Sequence, residues 1–142
     1  MKLHIGIKPN TYKEEDGFLS CLGKIFIGDD FWETIIPALN YWTTDEYEKQ
    51  WKEGLERIKT HPISCLVASV QHPRKTPPLI NWWILYKVGE KIYIQNHLLN
   101  DTTYREHIGN QQFTPQTCYN FIKPRKTKTD DGFKYAEWVI GL

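Results

Sequence analysis

Five histidines, three cysteines and seventeen carboxylates are the side chains of this 142-residue chain that can do acid–base, nucleophilic or metal chemistry. His4, His61, His72, His97 and His107 fall in neither His-x-His nor His-Glu-x-x-His spacing, so nothing gathers them around a metal ion. Cys21, Cys65 and Cys118 are widely spaced, odd in number and without a histidine close in sequence. That is the pattern of reduced, mostly buried thiols and not of a disulfide framework or a zinc site; it offers nothing towards a cysteine nucleophile, though a dyad formed in space stays open. No glycine-rich phosphate loop is present. Three polar positions can still be read in two ways. His97 ends an apolar stretch beside Gln95 and Trp82, and is either catalytic or a hydrogen-bonded structural histidine. Glu137, just before Trp138, is either a general acid or the partner of a cation such as Arg125. Gln95 and Asn96 either read a polar ligand or bond backbone where their strand leaves its sheet. In each case the structural reading is favoured, because no second catalytic group is placed alongside. The chain therefore shows no evident catalytic residue, no cofactor-binding motif and no metal site.

One basic run has a chemistry of its own. The six residues from Lys123, "KPRKTK", lie in a chain with six tryptophans and eight tyrosines. Aromatic platforms beside a basic groove are how single-stranded nucleic acid is bound. Against this, the aromatics elsewhere recur at core spacing, and Asp130-Asp131 follow the basic run almost at once. A single-stranded nucleic-acid-binding domain, using aromatic stacking and a basic turn, is the alternative reading.

The elements that must position these residues are legible in part. Residues 81–96, "NWWILYKVGEKIYIQN", read as two strands joined at Gly89-Glu90, a two-residue type II′ turn with glycine first. The turn fixes the register: Val88 opposite Lys91, Tyr86 opposite Tyr93, Ile84 opposite Gln95 and Trp82 opposite His97. Lys87 with Ile92, Leu85 with Ile94 and Trp83 with Asn96 then make the other face. Both faces are apolar in the middle, so the hairpin is expected at the centre of its sheet, each tryptophan under a different covering layer. Thr43-x-x-Glu46 forms a capping box. Tyr47, Trp51, Leu55 and Ile58 follow at helical spacing, with Glu48, Lys49, Lys52, Glu53 and Glu56 opposite and Glu48/Lys52 a supporting pair. His61-Pro62 stops the helix.

Residues 3–7 and 22–27 read as strands, and 63–70 as a buried one. Residues 8–17 are a turn-rich link, and in 28–42 Asp30 could cap a short helical turn that Pro37 limits. "QHPRKTPP" and "NDTTYREHIGNQQ" are loops. Thr114-Pro115 opens a short helix to about residue 122, with Cys118, Phe121 and Ile122 inward. Residues 123–132 are an exposed charged turn and 133–140 a last strand. This is an α+β chain of a length suited to one domain, 1–142. Its net charge of +1 recruits neither nucleic acid nor an acidic partner at long range. No apolar run approaches 18 residues, and the N-terminus lacks the apolar core of a signal peptide, so the expected location is cytoplasmic.

Five segments in order go further: "ALNYWTTDEYEKQWKEGLERI", "SCLVASV", "WWILYKVGEKIYIQNHLL", "FTPQTCYNFIKPR" and "DDGFKYAEWVI". With Tyr41-Trp42, Gln50-Trp51, Tyr93-x-Gln95-Asn96, Phe121-Ile122, Arg125, Asp131-Gly132 and Glu137-Trp138 along residues 38–140, the chain resembles the immunity proteins of bacterial contact-dependent growth inhibition, the CdiI family. It departs in having Ala136 where a serine is expected, and its first 37 residues match little. The resemblance implies a twisted antiparallel sheet with a few helices. It implies a protein that is not an enzyme, and that binds the cognate CdiA C-terminal toxin domain, occluding its active site. No membrane and no direct nucleic-acid partner is implied. The motif residues then read as scaffold and exposed charge as specificity.

Most such toxins attack nucleic acid, so a protein that plugs their electropositive cleft should offer carboxylates. The candidates are Glu14, Glu15 and Asp16 in the first turn, Asp29, Asp30 and Glu33, and Asp130 and Asp131. Asp29 and Asp30 are preferred because Phe31 and Trp32 follow them, giving toxin-binding candidates Asp29, Asp30, Trp32, Glu33, Asp130 and Asp131. The competing reading has Asp30 as a cap and Trp32 in the core.

Overall fold

Gly89 adopts a φ of 62° while Glu90 stays out of the left-handed region, as a type II′ turn requires. It joins β7 (Leu79–Val88) to β8 (Lys91–Leu99). The computed structural model describes residues 1–71, 79–99 and 112–142. The pairs expected from the turn, from Val88 with Lys91 out to Trp82 with His97 and Trp83 with Asn96, are all formed. The hairpin supplies the two central strands of an antiparallel sheet ordered β6-β7-β8-β9, between β6 (Ile63–Gln71) and β9 (Trp138–Gly141). The last strand is shorter than the sequence suggests, because Lys134 pairs instead with Lys128 across the charged turn. The two loops following β6 and β8 fall largely outside the described residues, as do His72 and His107.

The adjacent tryptophans cover the two faces of this sheet. Trp83, with no exposed surface, meets Phe31 at 6.3 Å and Trp138 at 5.4 Å between ring centroids. Trp82 meets Phe113 edge-on at 5.5 Å, and Phe113 in turn packs on Trp42 and Phe121. The layer over Trp83 is a second sheet of β1 (Leu3–Ile7), β4 (Gly23–Ile27) and β5 (Phe31–Ile35), ordered β1-β4-β5. Its buried face, Leu3, Ile5, Ile25, Ile27 and Ile35, joins the same apolar cluster as Trp83.

No helical turn forms after β4. Gly28, at φ 67°, makes the Gly28-Asp29-Asp30 hairpin loop, and the chain returns as a strand. A small hairpin the sequence reading missed, β2 (Lys13–Glu15) and β3 (Phe18–Ser20), turns on Asp16 and Gly17, both at positive φ. That is a type I′ Asp-Gly turn.

The helix α1 (Thr44–Arg57) begins at the expected capping box, with the Thr43 hydroxyl accepting the Glu46 N–H and the Glu46 carboxylate accepting the Thr43 N–H. Its exposed ion pair is Lys59 with Glu56, not Glu48 with Lys52. The helix lies along the open edge of β6 and satisfies it with side chains. Gln50 Nε2 donates to the Cys65 carbonyl and Gln50 Oε1 accepts the Val67 N–H, each at 2.8 Å. The Trp51 indole donates to the Val67 carbonyl at 2.7 Å, and the Tyr47 hydroxyl accepts the Val70 N–H while donating to the Ala38 carbonyl. Gly54 lets the two backbones approach, since a Cβ there would sit 2.3 Å from the Cys65 oxygen. An edge strand's unpaired groups are thus bonded by a helix instead of a neighbouring strand.

The expected second helix is a single 3-10 turn, Cys118–Phe121, entered through the Thr114 hydroxyl bonded to the Thr117 N–H. Ile122 is already extended, two residues ahead of Pro124, and the residue before a proline is held out of the helical region. Cys118 and Phe121 point inward as expected, joined by Tyr119, while Ile122 is half-buried.

Candidate binding surfaces

On the Trp82 face, Gln95, His97, Arg125 and Glu137 converge on one hydrogen-bonded cluster. Arg125 grips Glu137 with two bonds, Nε to Oε2 at 2.9 Å and an Nη to Oε1 at 2.7 Å, and lies 4.1 Å above the Tyr93 ring. This bidentate pairing holds the Glu137 carboxyl below its ordinary range, so it is an anion and no general acid at neutral pH. Gln95 Nε2 donates to Glu137 Oε2 at 2.8 Å and to the Lys126 carbonyl at 2.9 Å. Both contacts are acceptors, which fixes the amide and turns Gln95 Oε1 towards His97 Nε2, 2.8 Å away. His97 Nε2 must therefore carry its proton. Burial, and then the charge of Lys123, push the His97 pKa below its ordinary value, so the ring is neutral at pH 7. Asn96 donates to the Trp82 carbonyl and to Asn81 Oδ1. The structural readings of His97, Glu137, Gln95 and Asn96 hold.

Above this cluster opens a cleft of about 570 Å³, lined by Trp82, Tyr86, Phe121, Tyr135, Lys123 and Lys126 among others, with Asp130 on its rim. Tyr86 donates to the Lys123 carbonyl at 2.8 Å, and burial pushes its pKa up to about 12.

The preferred acidic residues lie on the other side of the sheet. Asp29 and Asp30 are exposed in the β4–β5 loop and rim a groove of about 590 Å³ floored by Phe31, Trp138 and Ile140. Asp29 is paired with Lys2 at 2.8 Å, both side chains largely in solvent. Trp32 is 55% exposed and so no core residue. It aligns with Phe26 and His4 across the outer face of the second sheet, under the Lys24 ammonium at 4.4 Å. Phe31 is the residue that turns inward. Glu33 is exposed but faces away from Trp32, as neighbours in a strand must. The six candidates therefore divide: Asp29, Asp30, Trp32 and Glu33 cluster around β5, whereas Asp130 and Asp131 stand in the turn beside the cleft on the opposite face of the larger sheet. The signal for Trp32 was the Phe31-Trp32 alternation; Phe26, Lys24 and His4 carried none.

All three cysteines are buried and free, with Cys65 and Cys118 sulfurs 3.7 Å apart and burial raising the Cys65 pKa well above its usual value. Among the described residues no three His, Cys, Asp or Glu side chains come together to hold a metal ion, and no helix is long and apolar enough to cross a membrane.

A mixed α+β fold of antiparallel sheets, with its motif residues spent on internal hydrogen bonds and its recesses open at the surface, matches a known class. The family model for the CdiI N-terminal domain matches residues 37–142. The chain belongs to that family. It is 35% identical over 115 residues, 80% of this chain and 74% of the relative, to the immunity protein CdiI of Enterobacter cloacae subsp. cloacae. Its fold matches a chain of the solved CdiA-CT/CdiI toxin and immunity complex from Enterobacter cloacae with a TM-score of 0.79 and 31% identity, covering 100% of this chain and 91% of that one.

Proposed function

We propose that this chain is an immunity protein that binds and neutralises the cognate C-terminal toxin domain of a CdiA effector, acting as an inhibitor and not as an enzyme. The observation that carries the reading is the full-length likeness, at 31% identity, to a chain of a toxin and immunity complex. The proposed toxin is a nuclease whose active site the protein occludes, and the proposed contact surface is the end of β5 with its loop: Asp29, Asp30, Trp32 and Glu33. Residues 1–41 hold six carboxylates against four lysines, although the whole chain is at +1. That local bias suits an electropositive nucleic-acid cleft. Trp32 beside exposed Phe26 offers the aromatic anchor that dominates many interfaces. Asp130 and Asp131, on the far face, would be reached only by a second contact, since a standard interface covers roughly 800 Å² per partner.

The test is to mix purified protein with the toxin domain encoded beside it and follow degradation of DNA and RNA. Stoichiometric inhibition, weakened and with slower association in Asp29→Lys/Glu33→Lys, is the expected result. A toxin whose activity and binding ignore the protein overturns the function. Full inhibition by the charge-reversed variant overturns the surface alone. A toxin that the protein blocks but that leaves nucleic acid intact removes the nuclease assignment.

A further inference from the structure

The cleft over the Gln95–His97–Glu137–Arg125 cluster is used by none of the contacts proposed for the toxin, and it faces the other side of the sheet. We propose that it is a binding site for a small ligand in which an aromatic ring carries an anionic group. Its volume, about 570 Å³, falls in the range of roughly 300–1,000 Å³ that small-molecule sites occupy. The floor is apolar and aromatic: Trp82, Ile84, Tyr86 and Phe121, with the half-buried Tyr135 ring standing edge-on to His97 at 5.2 Å. Aromatic walls of this kind favour a ligand that itself carries a ring.

The charges at the mouth set the rest of the ligand. Lys126 is partly answered by Asp130 at 3.7 Å. Among the described residues Lys123 makes no ion pair, which leaves its charge at the mouth without a carboxylate partner. Burial first, and then the same charge, lower the basicity of His97. The wall beneath does not yield: Gln95 is buried and bonded at both ends of its amide, so His97 Nε2 is held and the imidazole cannot swing aside. A cleft with an aromatic floor, a rigid polar wall and, among the described residues, one cation outside any ion pair at its lip is complementary to a ring bearing a phosphate or a carboxylate. A nucleotide and an aromatic carboxylic acid share that chemistry.

The test follows the His97 ring resonances by NMR while the intact protein is titrated with adenosine 5′-monophosphate, with indole-3-acetate, and with inorganic phosphate. Among the described residues, the groups around His97 that titrate or carry charge are Lys123, Lys126, Asp130, Tyr86 and Tyr135, with Glu137 and Arg125 behind Gln95. The expected result is a saturable shift of the His97 resonances with at least one aromatic anion. Response to the nucleotide alone assigns the cleft to nucleotides, and response to the indole acid alone to aromatic carboxylates. Lys123→Ala should raise the His97 pKa without ligand and abolish the saturable response. It leaves the fold in place, because Tyr86 bonds the Lys123 backbone carbonyl and not its side chain.

No saturable shift with either aromatic anion overturns the proposal, as does an equal response to phosphate alone or an undiminished response in Lys123→Ala. Asp29→Lys/Glu33→Lys should bind the ligand as the parent does, so failure of the toxin surface and failure of this site are read separately.

Discussion

Replacing Gln50 with leucine tests whether a single buried amide closes the edge of the larger sheet. The side chain has no exposed surface and bridges the Cys65 carbonyl and the Val67 N–H, with the Tyr119 hydroxyl 3.2 Å from its Nε2. Leucine has a similar volume and keeps the helix, so the loss is confined to polar groups. Two buried backbone groups left without partners cost about 1–3 kcal/mol each. The added apolar contact of leucine offsets roughly 1 kcal/mol of that. The expected loss is therefore about 3 kcal/mol, a large share of the ~5–15 kcal/mol that holds a domain together. Urea denaturation followed by tryptophan fluorescence measures it. Hydrogen exchange localises it, because the Val67 amide should exchange faster than its neighbours in β6. Gln50→Glu adds a sign. Its carboxylate accepts the Val67 N–H but opposes the Cys65 oxygen, so the folded state favours the protonated acid and raises its pKa. Such a group stabilises below the unfolded pKa and loses that contribution as pH rises through the folded one, so the variant should be firm in mild acid and weak at neutrality. A leucine variant within about 1 kcal/mol of the parent, or a Val67 amide that stays protected, refutes the reasoning.

Gly54→Ala should destabilise despite a gain of about 1 kcal/mol in helix propensity, because the new Cβ meets the Cys65 carbonyl oxygen; a higher melting temperature would contradict the close approach of α1 to β6. Trp83→Ala should cost about 3–5 kcal/mol in denaturation, while Trp32→Ala, at an exposed position, should stay within about 0.5 kcal/mol of the parent and lose toxin affinity instead. Glu137, its pKa lowered by Arg125, contributes stability above its unfolded pKa and loses it as pH falls through the folded one. The acid limb of the stability–pH curve should therefore flatten in Glu137→Gln, and an unchanged limb would remove the pair from the acid response.

What could be read from the sequence was what short-range chemistry decides. A glycine-first two-residue turn leaves one register for the strands around it, and Thr43 with Glu46 marks a helix start whatever follows. The small β2–β3 hairpin escaped notice although Asp16-Gly17 is a strong turn signal, because Lys13, Glu14 and Glu15 are all polar and show no alternation. β5 is ambiguous in the sequence because Asp30 and Pro37 bracket it like a helical turn, and only the pairing with β4 chooses the strand. Gln50 was legible as a motif residue but not as the clamp on β6, since a polar side chain inside an apolar stripe gives no hint of which backbone it meets. The division of the candidate acids between two faces follows from how one sheet packs on the other, which no local pattern records.

The seam between α1 and β6 also governs what happens when the protein is stressed. β6 is a nine-residue strand, uncharged and free of proline and glycine, buried along nearly all its length. Segments of that composition propagate by stacking once their backbone is bare. Among the described residues, Tyr47, Gln50, Trp51 and the surface around Gly54 cover that backbone. A fluctuation that lifts the helix while the sheet survives would therefore create a seeding surface long before global unfolding. The shelf life of the folded protein should follow the rate at which α1 opens and not its melting temperature, and variants that loosen the seam should precipitate from solutions in which they are still largely folded.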